Sequence, residues 1–273
     1  AATGPNYETN KNSANAWFQL IYSDQNKGLE AGVRFDGTTS NASSFRGISL
    51  PAKGGNITIT NNTLGTATND LVTYAAVNIA LCTPISITTT GVPVNGDIVI
   101  QYNDIRGIVN NVAATAAFSH TFISNTASTT SQNISFNTFT NLNINSTGTV
   151  VFIGNYVAAT SFKTINSNSI VGTFNKAGAS GSVILYNDYG ASAAGIVINN
   201  NSNNFSNITV SGTTTINGWF NTDGVTAYPT KTVTNNTFSN WSLGSGSATA
   251  LFLNAFGGSS SVSTNTISSI SST

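Results

Sequence analysis

The sequence predicts an all-β fold, a β-solenoid built from stacked coils of about 34 residues each. Three observations lead to this prediction: a row of seven regularly spaced asparagines, a second asparagine row at a near-constant offset, and short strand-like segments between them. A repeat of this length is typical of proteins in which each unit packs on its neighbours and all units share one core.

The first asparagine row has intervals of 41, 34, 31, 35, 33 and 29 residues, and its members are Asn62, Asn103, Asn137, Asn168, Asn203, Asn236 and Asn265. Each is followed two residues later by a large apolar residue, and six of them have an aliphatic residue three positions before; the exception is Asn200. Asparagine tolerates left-handed backbone angles and bonds neighbouring backbone groups, so it suits a tight corner. In stacked coils, equivalent side chains lie about 4.8 Å apart and can form a hydrogen-bonded ladder.

The second row lies 18 or 19 residues after four members of the first, and its members are Asn125, Asn155, Asn187, Asn221 and Asn254. The path back to the first row varies from 11 to 16 residues. Two residues before each second-row asparagine is a large apolar residue: Ile123, Ile153, Leu185, Trp219 or Phe252. The second row therefore predicts a second corner with its own ladder, joined to the first by a path of nearly constant length and a more variable loop.

The segments between the corners have the period of β-strands. Residues 98–102, 231–234 and 250–253 are short runs of β-branched and aromatic residues bounded by small polar ones. A 34-residue period also occurs in helical repeats, but these need apolar residues at helical spacing, and no window of this chain offers them. Seven or eight coils at about 4.8 Å would give a rod on the order of 35–40 Å long.

The repeats resemble a known family. Residues 133–139 (Asn-Ile-Ser-Phe-Asn-Thr-Phe) and 234–240 (Thr-Asn-Asn-Thr-Phe-Ser-Asn) look like right-handed parallel β-helix repeats, the family that includes pectate lyases, tailspikes and many bacterial surface proteins. The Asn- and Thr-rich, charge-poor pattern of about residues 56–270 most resembles segments of giant secreted or cell-surface repeat proteins, including adhesins, of Bacteroidota. The resemblance implies a right-handed parallel β-helix and an extracellular location on the bacterial cell surface.

The repeats predict two regions. Residues 54–273 are expected to form the parallel β-helix, uncapped at its C-terminal end, in a chain that belongs to a longer protein. Residues 1–53 hold nine of the eighteen charged residues and lack the asparagine rows, so degenerate coils or a cap are expected there. The 41-residue first interval contains Pro84, Gly91 and Pro93 and predicts a projecting loop at about residues 80–96.

Composition excludes two classes of partner. Nine basic and nine acidic residues make up 7% of the chain, and they form no basic patch for nucleic acid. No apolar run is long enough to span a bilayer, so membrane insertion is not expected. The single cysteine, Cys82, lies in an apolar stretch and is expected to be a buried thiol.

The repeats offer little for chemistry, and no catalytic residue, cofactor or metal site is predicted. Polysaccharide-cleaving β-helices need clustered carboxylates, but Asp188 and Asp223 are expected on neighbouring coils facing different ways. The only histidine, His120, is expected to be a partly exposed strand residue. Asp104 and Arg106 are outward neighbours on one strand and form the one candidate ligand-binding pair; the alternative is a solvated ion pair.

The favoured function is a structural or adhesive segment of a large extracellular protein, such as a stalk, filament or adhesin, without catalysis. Surface glycans or neighbouring protein chains are the expected partners, with end-to-end or lateral assembly. One alternative is a carbohydrate-binding or polysaccharide-degrading β-helix that uses Asp104 and Arg106. Another is ice binding by an outward polar row, although Asp and Asn interrupt it: Thr63, Asp104, Thr138, Ser169, Asn204, Thr237 and Thr266.

Overall fold

The protein is a parallel β-solenoid of about six turns. The computed structural model describes residues 18–19, 33–35, 45–52, 56–65, 71–74, 81–89, 96–114, 119–188, 195–223 and 228–273. These residues form 24 strands in three sheets and no helix. Neighbouring strands in every sheet pair in parallel, which confirms the predicted fold class.

From residue 82 onwards, each coil contributes one strand to each sheet, in a fixed order around the coil. The first sheet contains β1 (Phe18–Gln19), β3 (Phe45–Ala52), β7 (Cys82–Thr89), β10 (His120–Thr126), β13 (Val150–Asn155), β16 (Ser182–Asp188), β19 (Thr215–Asn221) and β22 (Ala248–Phe252). The second contains β4 (Ile57–Thr60), β8 (Asp97–Gln101), β11 (Thr129–Ser135), β14 (Ala159–Asn166), β17 (Val197–Asn201), β20 (Thr230–Thr234) and β23 (Ser261–Ser263).

The third sheet has nine strands: β2 (Val33–Phe35), β5 (Thr63–Leu64), β6 (Val72–Tyr74), β9 (Asp104–Ala114), β12 (Thr138–Ser146), β15 (Ser169–Lys176), β18 (Ile208–Val210), β21 (Thr237–Leu243) and β24 (Thr266–Ser272). The third sheet holds one extra strand because β5 and β6 both pair with β9. The stack amounts to about six turns, fewer than the seven or eight coils predicted. The seven first-row asparagines delimit six complete turns and lie where the second sheet gives way to the third.

The prediction of a projecting loop at residues 80–96 is wrong for residues 82–89. Residues 82–89 form β7, which pairs with β3 and β10 inside the first sheet, and Cys82 to Ile87 are buried. Pro84 is tolerated within this strand, while residues 90–95 lie outside the described residues. From the segment 1–53, strands β1, β2 and β3 join the first and third sheets; whether that segment is a cap or degenerate coils stays a prediction.

The core is a column of aliphatic and aromatic side chains, as the repeat predicts. The residues two positions after the first-row asparagines are buried from Leu64 to Phe238, and only Ile267, on the last strand, is exposed. Phe152 lies at the centre, with its ring edge-to-face against Phe122, Phe139 and Phe174 at centroid distances of 5.0, 5.0 and 4.9 Å. These distances and angles are favourable for aromatic pairs.

Candidate functional site

The first asparagine row forms an unbroken ladder along the described coils. In each of its six steps, the side-chain Nδ2 of one asparagine donates to Oδ1 of the next, over 2.8 to 3.0 Å. That same Oδ1 also accepts from the backbone N–H of the preceding asparagine, over 2.9 to 3.2 Å. The predicted ladder at this corner is therefore confirmed.

Asn168 shows how completely the amide is used. Its Nδ2 donates to Asn203 Oδ1 at 3.0 Å and to the carbonyl of Ile134 at 2.9 Å, while its Oδ1 accepts two bonds from Asn137. An asparagine amide has two N–H donors and two lone pairs, so all four are satisfied in a buried position. Ile134 lies three residues before Asn137, at the aliphatic position of the preceding coil. Its carbonyl accepts a hydrogen bond from the ladder, a role that was not predicted from the sequence.

The left-handed residues at this corner are not the ladder asparagines. Positive φ angles of 54° to 59° belong to the residue immediately before each one: Asn61, Tyr102, Phe136, Ser167, Ser202, Asn235 and Thr264. The ladder amides themselves bond to the next coil, so the expectation that they adopt the left-handed conformation was wrong. The corner is made by the backbone of one residue and held by the side chain of the next.

The second ladder departs from the predicted row at one coil. Asn125 donates to Asn155 Oδ1 at 2.9 Å, but the strand register then aligns Asn155 with Asp188, and Asp188 with Asn221. Asn187 is therefore not a ladder residue. Asn221 donates to Asp188 Oδ2 at 3.1 Å, and the backbone of Asn254 donates to Asn221 Oδ1 at 3.3 Å.

The same register changes the core residue assigned to two coils. Tyr186 and Leu251 align with Trp219, in place of the expected Leu185 and Phe252. Leu185 is still buried, whereas Phe252 points outward and stacks on Phe220 at 5.0 Å.

Five side chains form what we call the buried charge cluster: Lys163, Asp188, Asn221, Asp223 and Lys231. Lys163, Asp188, Asn221 and Lys231 are fully buried, and Asp223 is 1% exposed. Lys163 Nζ lies 2.7 Å from Asp188 Oδ1, and Lys231 Nζ lies 3.2 Å from Asp223 Oδ2. Asn221 Nδ2 donates to both carboxylates, at 3.1 and 3.0 Å.

The expectation that Asp188 and Asp223 face different ways was thus wrong, because the one-residue shift of β16 turns Asp188 inward.

A sequence signal for the cluster exists. The residue five positions before each ladder asparagine and the aliphatic residue three positions before it lie two apart on one strand, so both point inward. The row at five positions before is occupied by Ile57, Ile98, Gln132, Lys163, Ile198 and Lys231, which are aligned in the second sheet.

Burial dominates the electrostatics of the cluster. It raises the pKa of Asp188, although the charge of Lys163 opposes this, and it lowers the pKa of Lys231, although Asp223 opposes this. Burial also raises the pKa of Tyr186 well above its usual value, and the charge of Asp188 adds to the increase. Charges removed from water are costly unless they are paired, so the pairs hold each other in place.

Lys176 is a third buried lysine, but its partners are uncharged. Its Nζ donates to the carbonyls of Ser146 at 2.7 Å and Gly178 at 3.1 Å, to that of Ser180, and to the hydroxyl of Thr214 at 3.4 Å. Burial lowers its pKa to about 8. Gly178 and Ser180 lie in the bend between β15 and β16, whereas Ser146 ends β12 and Thr214 immediately precedes β19. Lys176 therefore links the bends of three successive coils.

His120 is fully buried at the start of β10, and its predicted partial exposure was wrong. It aligns with Cys82 and Val150 on the neighbouring strands. Burial, with a smaller contribution from the positive charge of Lys176, lowers its pKa to about 3. Cys82 is buried, as predicted.

Asp104 and Arg106 lie together on β9, where the sequence placed them. Arg106 Nε is 2.5 Å from Asp104 Oδ2, and Thr140 donates to Asp104 Oδ1 at 3.0 Å. Beside this strand, the corner residues Tyr102 and Phe136 stack at a centroid distance of 4.8 Å, with their planes 7° apart. Both rings are exposed. This aromatic pair was not among the predicted site residues.

The outward polar row that suggested ice binding is in register from Thr63 to Thr266, with Asp104 and Asn204 interrupting it. Among the described residues, no three His, Cys, Asp or Glu side chains are grouped to hold a metal ion. The part of the chain that the structure describes also contains no helix long and apolar enough to cross a membrane.

Comparisons with protein-family models, with curated proteins and with solved structures gave no match.

Proposed function

We propose that this chain is a structural or adhesive segment of a large extracellular or cell-surface protein, acting as a stalk, filament or adhesin without catalytic activity. The observation that supports this most is the unbroken first ladder from Asn62 to Asn265, which ties every turn to the next through buried side-chain hydrogen bonds. Such a stack suits a rod that transmits force along its axis.

The use of ionisable groups supports the same proposal. Of the nine charged residues after residue 53, five are buried and take part in hydrogen bonds within the solenoid: Lys163, Lys176, Asp188, Asp223 and Lys231. Buried and paired groups are not free to act on a substrate. The cluster fits a role in holding coils together better than a role in cleaving a polysaccharide.

The test combines adhesion with a search for cleavage. Beads coated with the purified chain should be retained under flow on cells, on glycan-coated surfaces or on a second layer of the chain. A panel of polysaccharides incubated with the chain should release no new reducing ends. Cleavage of any polysaccharide would overturn the non-catalytic proposal. If the beads adhere to none of these surfaces, the adhesive part of the proposal would be removed.

A second candidate function, carbohydrate binding, is favoured by the exposed stack of Tyr102 and Phe136 beside Asp104 and Arg106. A flat aromatic face can pack on a sugar ring while nearby charged groups accept and donate hydrogen bonds. On a glycan array, Tyr102→Ala and Asp104→Ala are each expected to weaken binding about tenfold or more.

The outward pair Phe220 and Phe252 is a matched control, because its rings are also stacked, at 5.0 Å. The ion pairs described on the neighbouring strands, Lys163–Asp188 and Lys231–Asp223, are buried in the interior and not exposed beside these rings. Phe252→Ala should leave glycan binding unchanged. Equal binding by the wild type, Tyr102→Ala and Asp104→Ala would dismiss this candidate.

A further inference from the structure

A lysine and an aspartate in the buried charge cluster are placed as two reactants. Lys163 Nζ lies 2.7 Å from Asp188 Oδ1, and neither side chain is exposed. The Asp188 Cγ atom is bonded to that oxygen, so the amine is already close to the roughly 3–3.5 Å at which reacting atoms are poised for attack. Lys163 comes from β14 and Asp188 from β16 of the following coil, 25 residues later.

Both side chains lie in the interior, away from water. Asp188 lies near the buried ring of Tyr186, which stacks on the buried Trp219. Two separate ions carry a large desolvation cost in such surroundings. An amide between the same two side chains is neutral. Exclusion of water also protects such a bond from hydrolysis.

We propose that Lys163 and Asp188 condense into an intramolecular amide bond that joins two successive coils of the solenoid. The Lys163 ammonium passes one proton to Asp188 Oδ1, and the resulting amine attacks Cγ. The nitrogen then loses a second proton to Oδ1, the Cγ–Oδ1 bond breaks, and one water leaves. The product is one Nζ–Cγ amide, with no oxidant, reductant or other reactant required.

Asn221 is placed to assist this reaction. Its Nδ2 donates at 3.1 Å to Asp188 Oδ2, the oxygen that carries negative charge when the amine adds to Cγ. A donor aimed at developing charge in a dry site stabilises the transition state. Its other N–H is held by Asp223 Oδ2 at 3.0 Å, so Asp223 positions Asn221. The raised pKa of Asp188, caused first by burial, favours the protonated carboxyl group that accepts the amine.

The other two buried lysines are placed differently. Lys231 is farther from its carboxylate, at 3.2 Å, and its Nζ also donates to the carbonyls of Asn254 and Ala255. The hydrogen-bond partners of Lys176 are carbonyls and a hydroxyl. Neither arrangement presents an amine to a carboxyl carbon as closely as Lys163 does, so the cross-link is assigned to one pair.

Intact-mass spectrometry of the folded chain provides the test, and it does not depend on the proposed function. The expected mass is about 18 Da below that of the sequence, the loss of one water. Trypsin cannot cut after an acylated lysine. The digest should therefore contain a branched species in which residues 107–176 are joined to residues 177–231, with fragment ions that place the link at Lys163 and Asp188.

Three variants separate the cross-link from other dehydrations. Lys163→Arg keeps the positive charge and should have the full mass of its sequence. In Asp188→Asn, attack of the amine on the side-chain amide would release one ammonia and lower the mass by about 17 Da. Without that attack, the variant should have the full mass of its sequence. Lys176→Arg alters another buried lysine and should still lose about 18 Da, as the wild type does.

A folded wild-type chain with the full sequence mass and no branched peptide would overturn the proposal. A mass loss that persists in Lys163→Arg would also overturn it, since the water would then come from elsewhere in the chain. If Lys163→Arg does not fold, the branched peptide of the wild type still decides the question.

Discussion

At the scale of single residues, hydrogen-bond capacity explains why asparagine recurs at the first corner. Serine or threonine has one hydroxyl, and aspartate has no donor when ionised. Only an amide can donate to both the next coil and a carbonyl while accepting two bonds from the coil before, as Asn168 does. Because the ladder is buried, each missing partner leaves a polar group that cannot turn to water.

Asn168→Ala should therefore lower the free energy of unfolding by about 3 kcal/mol or more, because it leaves the Ile134 carbonyl and the Asn137 amide groups without partners. Urea denaturation followed by circular dichroism measures this loss. Asn175→Ala is the matched control, because its half-buried side chain makes a single bond, to Asn143 at 3.1 Å, and should cost less than about 1 kcal/mol. Equal losses of unfolding free energy in the two variants would mean that the ladder stabilises the fold no more than a single half-buried hydrogen bond does.

His120 gives the second residue-scale prediction, a loss of stability in acid. Its pKa is about 3 in the folded chain against 6.5 ordinarily, so below pH 6.5 the unfolded chain binds a proton that the folded chain does not. Stability should fall as the pH decreases from 6.5 towards 3, by up to about 1.4 kcal/mol per pH unit from this residue.

His120→Leu removes this contribution, so the wild type should lose stability more steeply than the variant between neutrality and about pH 4. Comparing the two chains cancels the titration of Asp188, which both contain. The measurement is the urea midpoint at several pH values. Parallel curves of stability against pH for the two chains would contradict the prediction, because they would show that His120 binds its proton as readily in the folded chain as in the unfolded one.

At the scale of elements, close contact between the bends of successive coils sets limits on side-chain size. The bend after β15 contains Gly178, where an added Cβ would lie 1.8 Å from the carbonyl oxygen of Ser146 on the preceding coil. That oxygen also accepts a bond from Lys176. The backbones can meet here only because residue 178 has no side chain.

Gly178→Ala should lower the free energy of unfolding by about 3 kcal/mol or more, since the coils must separate to admit the methyl group. Gly172→Ala is the control for glycine replacement itself. Gly172 has a φ of +78° but no atom within 4 Å of the added Cβ, so it should cost only about 1 kcal/mol of backbone strain. Thermal denaturation of the two variants compares them, and a similar loss from both would contradict the close-contact explanation.

At the scale of the whole molecule, each coil depends on its neighbours, so stability should vary along the axis. Strands near the middle, such as β13, are buried throughout, whereas every residue of β24 is exposed. Hydrogen exchange read by mass spectrometry should therefore show the slowest exchange in residues 120–188 and 195–220 and the fastest, among the described coils, in residues 261–273. Uniform protection along the chain would mean that the solenoid opens as one unit.

The sequence by itself determined the coil and its stacking, because these follow from a period that a single chain displays. Equivalent residues of a parallel stack must align, so the positions of Asn62 to Asn265 predicted the first ladder, and the residues two positions later predicted the core. Even the row of Lys163 and Lys231 could be read, since alternation along a strand places it on the inward side.

Only the tertiary structure decided which residue enters the second ladder and which groups meet in the interior. The one-residue shift at β16, which brings Asp188 inward in place of Asn187, depends on how that strand pairs with both neighbours at once. The meeting of Lys163 with Asp188 joins two sheets and two coils. Contacts across the interior depend on side-chain reach and on the shape of the whole coil, and spacing along one strand does not encode them.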